Sequence, residues 1–369
     1  MQVKARKGWF SGESRNDFSF PADQSHSGQQ RPGVLYWFPG PNPGKQERMH
    51  VFVTGGAGYI GSACVEALLD AGHAVTAFDN LSEGHQAAVD SRARFVKGDL
   101  ADTAGLRAAM SGADAVLHFA ASALVGESMT DPGKYFRNNV ANGLSLVESA
   151  HALGVRKFVF SSTCATYGPP DCVPMTEDLP QRPINPYGES KLAFEKILRW
   201  YEQIHGMEFV AFRYFNAAGA TPTRGEDHRV ETHVIPNMLR VALGKRESVE
   251  IFGTDYPTPD GTCVRDYIHV LDLAQAHILA MRPGVRGFFN LGNGDGYSVR
   301  QVLEMCRKVS GHPIPCVEKP RRPGDPPVLV ASADRARSVL GWKPQFPGLE
   351  QIISTAWAWH RDHPNGYGD

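Results

Sequence analysis

The chain predicts an α/β fold: a doubly wound parallel sheet followed by a smaller C-terminal lobe. Three observations carry that class. Short apolar runs alternate with helix-periodic segments between residues 49 and 217. The first run leads through a glycine-rich turn into a helix, and the second run ends on an acid. Beyond about residue 217 the alternation loosens, and Pro- and Gly-rich loops such as "YPTPDGT" and "KPRRPGDPP" separate short helices.

The elements follow in order. Residues 1–48 contain "GESRNDFSFPADQSHSGQQRPG" and "FPGPNPGKQER", rich in Gly, Pro, Ser and Gln without periodicity. This composition predicts a disordered tail, or an upstream extension of a protein that naturally starts at Met49, with a docking arm as the alternative. Its one apolar cluster, "VLYWF", is too short for the core of a secretion signal. "HVFVT" is then a strand, and Ile60, Cys64, Ala67, Leu68 and Ala71 recur at helical spacing until Gly72 stops the helix. "AVTAFDN", "RFVKGDL" and "AVLHFAA" read as strands, and "PGKYFRNNVANGLSLVESAHALG" as one helix. "KFVFSST" is a strand, "YGESKLAFEKILRWYEQIHG" a helix and "EFVAFRYFN" a strand. No internal repeat is evident.

Composition narrows the function classes. The chain has 369 residues, 42% hydrophobic and 21% charged, with a net charge of -1. That is ordinary globular composition, and the balanced charge argues against a nucleic-acid surface. No apolar run approaches the roughly 20 residues of a membrane span. Cysteines 64, 164, 172, 263, 306 and 316 form no C-x-x-C pair, which excludes a zinc knuckle or thioredoxin motif and suits a reducing, cytoplasmic setting. His228 and His233 in "HRVETH" stand five apart and read as a polar loop, so no metal site is expected.

Chemistry enters at "GGAGYIG". Gly55, Gly58 and Gly61 stand at G-x-x-G-x-x-G spacing between a strand and a helix, and Asp79 ends the next strand. Such glycines let the backbone approach a pyrophosphate at a helix N-terminus, where free N–H groups and the dipole favour an anion. In that context the motif is a dinucleotide fingerprint of Rossmann type. Asp79 would hold the adenosine ribose hydroxyls and repel a 2′-phosphate, and "NLSEGH" supplies no arginine, so NAD is preferred over NADP. The expected organisation is an NAD-binding domain over 49–217 and a substrate domain over 218–369.

In "NPYGESK", Tyr187 and Lys191 stand one helical turn apart and share a face. Phe194, Ile197, Leu198 and Tyr201 supply the buried face of that helix. A tyrosine of ordinary pKa near 10 is a poor base at neutral pH, and lowering it about 3 units requires roughly 4 kcal/mol. The lysine ammonium and a nicotinium ring are the expected sources of that lowering.

At these residues the chain resembles a known family. "VTGGAGYIG", "DNLS", "GDL", "HFAASALVGES", "NNV", "SSTCATYG", "NPYGESK", "RYFNAAGA" and "DGTCVRDYIHVLDLAQAH" occur in the order seen in extended short-chain dehydrogenase/reductases, and they are most similar to its UDP-hexose 4-epimerases. The resemblance spans residues 49 to 369. It implies that Tyr59 and Ile60 lie against the cofactor phosphates, that Asp79 and Asn80 sit at the ribose, and that Leu81 also touches the cofactor. Asp99 and Leu100 would flank the adenine; Phe119, Ala120, Ala121 and Asn138 would line the cofactor channel, with Tyr214 and Phe215 near the nicotinamide. Tyr187 would be the base, Lys191 its electrostatic partner, and Thr163 would hydrogen-bond the sugar 4′-oxygen. Asn216, His233, Phe252, Arg265, Arg322 and Asp325 would bind the UDP moiety, arginine suiting a diphosphate through its planar fork. Leu329 would face the hexose.

The implied reaction interconverts UDP-glucose and UDP-galactose. Tyr187 takes the 4′-hydroxyl proton as hydride passes to NAD+, the 4-keto sugar turns, and hydride returns to its other face. Three positions depart from the family pattern. Ala123 stands where some members carry a lysine near the phosphates, and Thr163 replaces a common serine without losing the hydroxyl. Leu329 is intermediate between the tyrosine associated with rejecting N-acetyl sugars and the smaller residues that admit them, which implies some activity on UDP-N-acetylglucosamine. Sugar-nucleotide dehydratases share the scaffold but carry a carboxylate pair after the hydroxyl residue; Cys164 and Ala165 stand there instead and provide neither acid nor base. Cys164 itself reads as a small packed residue. Epimerases of other UDP-sugars, and a binding protein that has lost catalysis, are the remaining alternatives. The resemblance further implies a homodimer formed through the helices around 132–153 and 186–205.

Overall fold

The computed structural model of the protein describes residues 48–322 and 325–368. Apart from Arg48, the extension read for residues 1–48 lies outside the described residues.

β1 (His50–Thr54), α1 (Tyr59–Asp70), β2 (Ala74–Asp79) and β3 (Arg94–Lys97) open the fold. α2 (Thr103–Met110), β4 (Ala115–His118) and two short helices, α3 (Val125–Ser128) and α4 (Pro132–Tyr135), follow. α5 (Asn142–Ala152), β5 (Lys157–Thr163), α6 (Pro186–His205) and β6 (Glu208–Tyr214) complete the alternating half. β1, β4 and β5 bury nearly every residue, as strands covered on both faces must.

Beyond these come β7 (Asn216–Ala218), α7 (Val234–Ala242), β8 (Val249–Phe252), β9 (Val264–His269) and α8 (Val270–Ala280). β10 (Gly287–Leu291), β11 (Gly296–Ser298), α9 (Val299–Ser310), β12 (Cys316–Lys319), β13 (Val328–Leu329) and α10 (Leu349–Asp362) end the chain. The main sheet has seven strands in the order β10-β6-β5-β4-β1-β2-β3, and every pair is parallel. Its seventh strand, β10, is drawn from beyond residue 217. Strand order reverses between β1 and β4, and a doubly wound sheet opens its ligand crevice at that reversal.

One core lies between the sheet and α2, α5 and α6, where Phe52, Phe158, Phe160, Leu146, Phe194 and Leu198 are buried. A second core joins α7, α9 and α10 to β8 and β9 through Met238, Leu239, Ile251, Leu303, Ile352 and Ile353. β9 also carries β7, β11 and β13, so the smaller lobe has its own sheet.

The helix read over 132–154 is not continuous. A π-helical stretch, Phe136–Ala141, separates α4 from α5. There the buried Asn139 amide accepts from Ser122 N–H (2.8 Å) and donates to Ser122 O (2.9 Å) and Ser190 Oγ (3.0 Å). A π turn adds one residue to an otherwise helical pattern, so periodicity alone cannot show it.

Candidate active site

The crevice begins where β1 runs into the glycine turn. Gly55 has φ +71°, and a Cβ there would stand 2.5 Å from Ala120 N. A Cβ on Gly61 would strike the Gly55 carbonyl. The turn therefore closes tightly under α1, and Gly58 caps the helix without a side chain. The first N–H groups of α1 are left for a ligand. Asp79 accepts from Ala57 N (3.0 Å) and Leu81 N (2.8 Å), which fixes its carboxylate beside the turn; burial pushes that carboxyl above its ordinary range. Leu81 is held at φ +62°, a left-handed conformation costing a β-carbon-bearing residue about 1–2 kcal/mol. Strain of this kind gathers at ligand sites.

Around this cradle, Asn80 Nδ2 donates to Asp99 Oδ2 at 2.8 Å, and Leu100 is buried next to it in sequence. Phe119, Ala120 and Ala121 follow β4 as a half-buried rim, with the Phe119 ring 4.9 Å from His277. Asn138 donates to Ser122 Oγ at 3.2 Å. Tyr59 and Ile60 open α1, but the Tyr59 ring is buried and its hydroxyl donates to Gly219 O at 2.6 Å. Its side chain therefore serves the fold, leaving only its backbone at the start of α1 for a ligand.

α6 starts at an Asn185 cap, whose Oδ1 accepts from Gly188 N at 2.8 Å. That places Tyr187 in the first turn, its phenol facing the Thr163 side chain and its ring edge-on to Tyr135 at 6.3 Å. Thr163 ends β5, and its hydroxyl accepts from Ala165 N at 3.1 Å. One turn along, the buried Lys191 ammonium donates to Ser161 O at 2.8 Å and lies 4.8 Å from the Phe160 ring centroid. Burial pushes Tyr187 up to about 12 and Lys191 down to about 7. The polypeptide alone thus moves the phenol opposite to the sequence expectation, because desolvation outweighs the Thr163 side chain and no opposite charge touches the phenol. Tyr214 and Phe215 are buried below, Tyr214 sharing a 2.6 Å hydrogen bond with His277 Nε2.

The residues expected at the substrate end lie mostly on the smaller lobe. Arg265 pairs with Asp325 and donates to Val264 O at 2.8 Å. The Arg322 guanidinium sits 4.1 Å over the Phe252 ring, a platform suited to a planar base. Leu329 is the register partner of Arg265 and joins an apolar cluster with Tyr167, Phe215 and Cys164. Asn216 opens β7, half-buried. His233 precedes α7, but its Nδ1 is directed at Glu226 (3.0 Å) and Glu231 (2.9 Å). Its imidazole is therefore shared with two carboxylates.

The profile of the NAD dependent epimerase/dehydratase family matches residues 51–292. The chain belongs to this family. A UDP-glucose 4-epimerase of Lacticaseibacillus casei is 52% identical over 329 residues, covering 87% of this chain and 99% of that protein. A crystal structure of a UDP-glucose 4-epimerase matches with a TM-score of 0.84 at 50% identity, covering 86% of this chain and 99% of that one. The Bifidobacterium longum UDP-glucose 4-epimerase, solved with NAD+ and UDP, matches with a TM-score of 0.82 at 38% identity, over 86% of this chain and 99% of its own.

The cradle fits the family's cofactor. At Gly55 and Gly61 the turn leaves no room for a Cβ, and Asp79 stands at the end of β2 where the ribose hydroxyls would lie. Several residues that hold this family site were not legible in motifs. Asn139, the neighbour of Asn138, ties the β4 loop to Ser190 on α6. Glu195 accepts from Ser162 Oγ (2.6 Å) and from Arg213 (3.0 and 2.8 Å), so a buried ion pair anchors α6 to β5 and β6. The only sequence signal was Glu195 at helical spacing from Tyr187 and Lys191. Arg213 carries none, because the apolar run 209–212 before it gives no sign of a buried partner.

Proposed function

We propose that the protein is an NAD-dependent isomerase that interconverts UDP-glucose and UDP-galactose through a 4-keto sugar. One observation carries the reading: the Tyr187 phenol meets the Thr163 side chain, and Thr163 is followed by a thiol and a methyl group where elimination would need carboxylates. Burial pushes Cys164 up to about 11, so it stays a neutral thiol and serves neither as base nor as nucleophile.

When bound, NAD+ supplies a positively charged hydride acceptor that gives the hydride back, so no net redox change results. Thr163 holds the 4′-oxygen and Tyr187 takes its proton as C4′ is oxidised. Tyr187 returns the proton once the keto sugar has presented its other face. Lys191, one turn along the same helix, is held by Ser161 O, and in its protonated form its charge favours the phenolate. Arg265 and Arg322 suit the diphosphate and Phe252 the uracil, leaving the hexose against Leu329. Leucine's size favours some turnover of UDP-N-acetylglucosamine.

We also infer a homodimer. Phe136, Leu153, Trp200 and Ile204 on the two helical segments are 41%, 40%, 59% and 65% exposed, a concentration of apolar surface that favours a partner. Six free cysteines suit a reducing compartment, hence a cytoplasmic setting, and no described helix is long and apolar enough to cross a membrane. The deciding experiment converts UDP-galactose in an assay coupled to UDP-glucose oxidation, with wild type beside Tyr187→Phe. Loss of the general base should lower kcat by about 10²–10⁴-fold with NAD still bound. Equal rates in the two proteins would end this mechanism.

A further inference from the structure

We propose that Glu226, His228, Glu231 and His233 form a binding site for one divalent transition-metal cation of the zinc and cobalt class. The four side chains offer two carboxylate oxygens and two imidazole nitrogens, all within 4.8 Å of one another. Glu226 Oε1 lies 3.2 Å from His228 Nε2 and 3.0 Å from His233 Nδ1, and Glu231 Oε1 lies 2.9 Å from the same His233 nitrogen. A tetrahedral ion with bonds of about 2.1 Å separates its ligands by roughly 3.4 Å, so shifts of about 1 Å complete the shell. Two nitrogens and two oxygens suit zinc or cobalt better than magnesium or calcium, which prefer oxygen alone.

A second observation points to a ligand. The Glu231 side chain is 0% exposed, yet its Oε2 has no hydrogen-bond partner among the described residues. A buried carboxylate oxygen without a donor is costly, and it lies beside Glu226, itself buried. A cation between the carboxylates would neutralise both and occupy the orphaned oxygen. The sequence pattern is a repeat, Glu-Asp-His then Glu-Thr-His, in which each acid stands two residues before its histidine.

The location gives the site a consequence. The His228 ring meets Tyr59, the first residue of α1, edge-on at 6.4 Å. Arg229 reaches the carbonyls of Leu81 and Gly84, in the loop after β2, at 3.5 Å each. His233 caps α7. A cation at the four ligands would therefore fasten segment 226–233 across the glycine turn and slow the release of NAD.

The test uses the full-length, NAD-loaded protein, stripped with a chelator under reducing conditions. Zn2+ loading followed by dialysis should leave one equivalent per chain by elemental mass spectrometry. Co2+ titration should give visible d–d absorption that saturates at one equivalent, without a thiolate charge-transfer band. Glu231→Gln and His228→Gln should each weaken metal binding at least about ten-fold, a loss of about 1.4 kcal/mol, while circular dichroism stays unchanged. If Glu231→Gln does not fold, the more exposed His228→Gln decides alone. Zn2+ at background in wild type, equal binding in His228→Gln, or a thiolate band would each overturn the proposal, the first meaning that two protonated histidines balance the glutamates.

Discussion

Gly188→Ala opposes two effects whose magnitudes can be compared. Gly188 stands third in α6, directly after Tyr187, with no left-handed φ to defend. By helix propensity alone, alanine should stabilise the protein by up to about 1 kcal/mol. In place, however, its Cβ would lie 2.5 Å from the Ala165 carbonyl oxygen and 3.0 Å from the carbonyl carbon. Ordinary contact requires roughly 3.5 Å, and the obstacle is backbone, which cannot swing aside. The start of α6 must therefore retreat on the order of 1 Å, at an overpacking cost of about 1–3 kcal/mol. Sterics win, so net stability should fall by up to about 2 kcal/mol. The retreat carries Tyr187 away from Thr163, and displacement of that size costs a rate up to about 10²-fold. The assay is UDP-galactose turnover with kcat and KM separated, beside urea unfolding. We expect kcat to fall while the KM for the nucleotide sugar moves little, since Arg265, Arg322 and Phe252 sit on the other lobe. Gly126→Ala, in an exposed helical turn with open space around its Cβ, is the control and should leave kcat unchanged with stability equal or slightly raised. Raised stability with unchanged kcat in Gly188→Ala would refute the reasoning.

Leu329→Tyr should lower turnover of UDP-N-acetylglucosamine at least about ten-fold and leave UDP-galactose within a few-fold; no wild-type turnover at high enzyme concentration would remove the premise. Glu195→Gln leaves the Arg213 guanidinium buried and unpaired, so urea unfolding should register a loss of about 3–5 kcal/mol, partly recovered in Glu195→Gln/Arg213→Met; an equal loss in the double variant would contradict that cause. Burial holds His118 and His269 at about 3 and His277 at about 4, below the ordinary 6.5. The unfolded chain binds these protons first, so stability is lost as pH falls from about 6.5 toward 4, each histidine contributing up to about 1.4 kcal/mol per pH unit. His277→Gln should remove one histidine's share of that slope between pH 6.5 and 5; an unchanged slope would count against it.

Much of the site was readable along the chain because its parts are local. The glycine turn, Asp79 at the end of the next strand, and Tyr187 one helical turn before Lys191 each lie within a single supersecondary unit, where spacing dictates geometry. The strands over 50–54 and 157–163 were legible for the same reason, since a strand buried on both faces is written as an apolar run. The π-helical stretch at Phe136–Ala141 was not, and neither were the partners of Asn139, which stand 17 and 51 residues away. The His228 and His233 pair was visible as spacing, but Glu231 closing over it to leave a buried, unpartnered oxygen was not.

By itself the sequence determined the parallel sheet, the glycine turn with its acid at the end of the next strand, the tyrosine and lysine proposed for the chemistry, and the absence of a carboxylate pair after Thr163. The tertiary structure alone decided the charge states. Tyr187 is raised and Lys191 lowered because the fold withdraws water from both, and no residue spacing encodes how much solvent remains. It also decided which long-range partners lock α6, namely Glu195 against Arg213 and Ser190 against Asn139. Contacts between residues far apart in the chain depend on packing the whole sheet, and that packing exists only once the protein has folded.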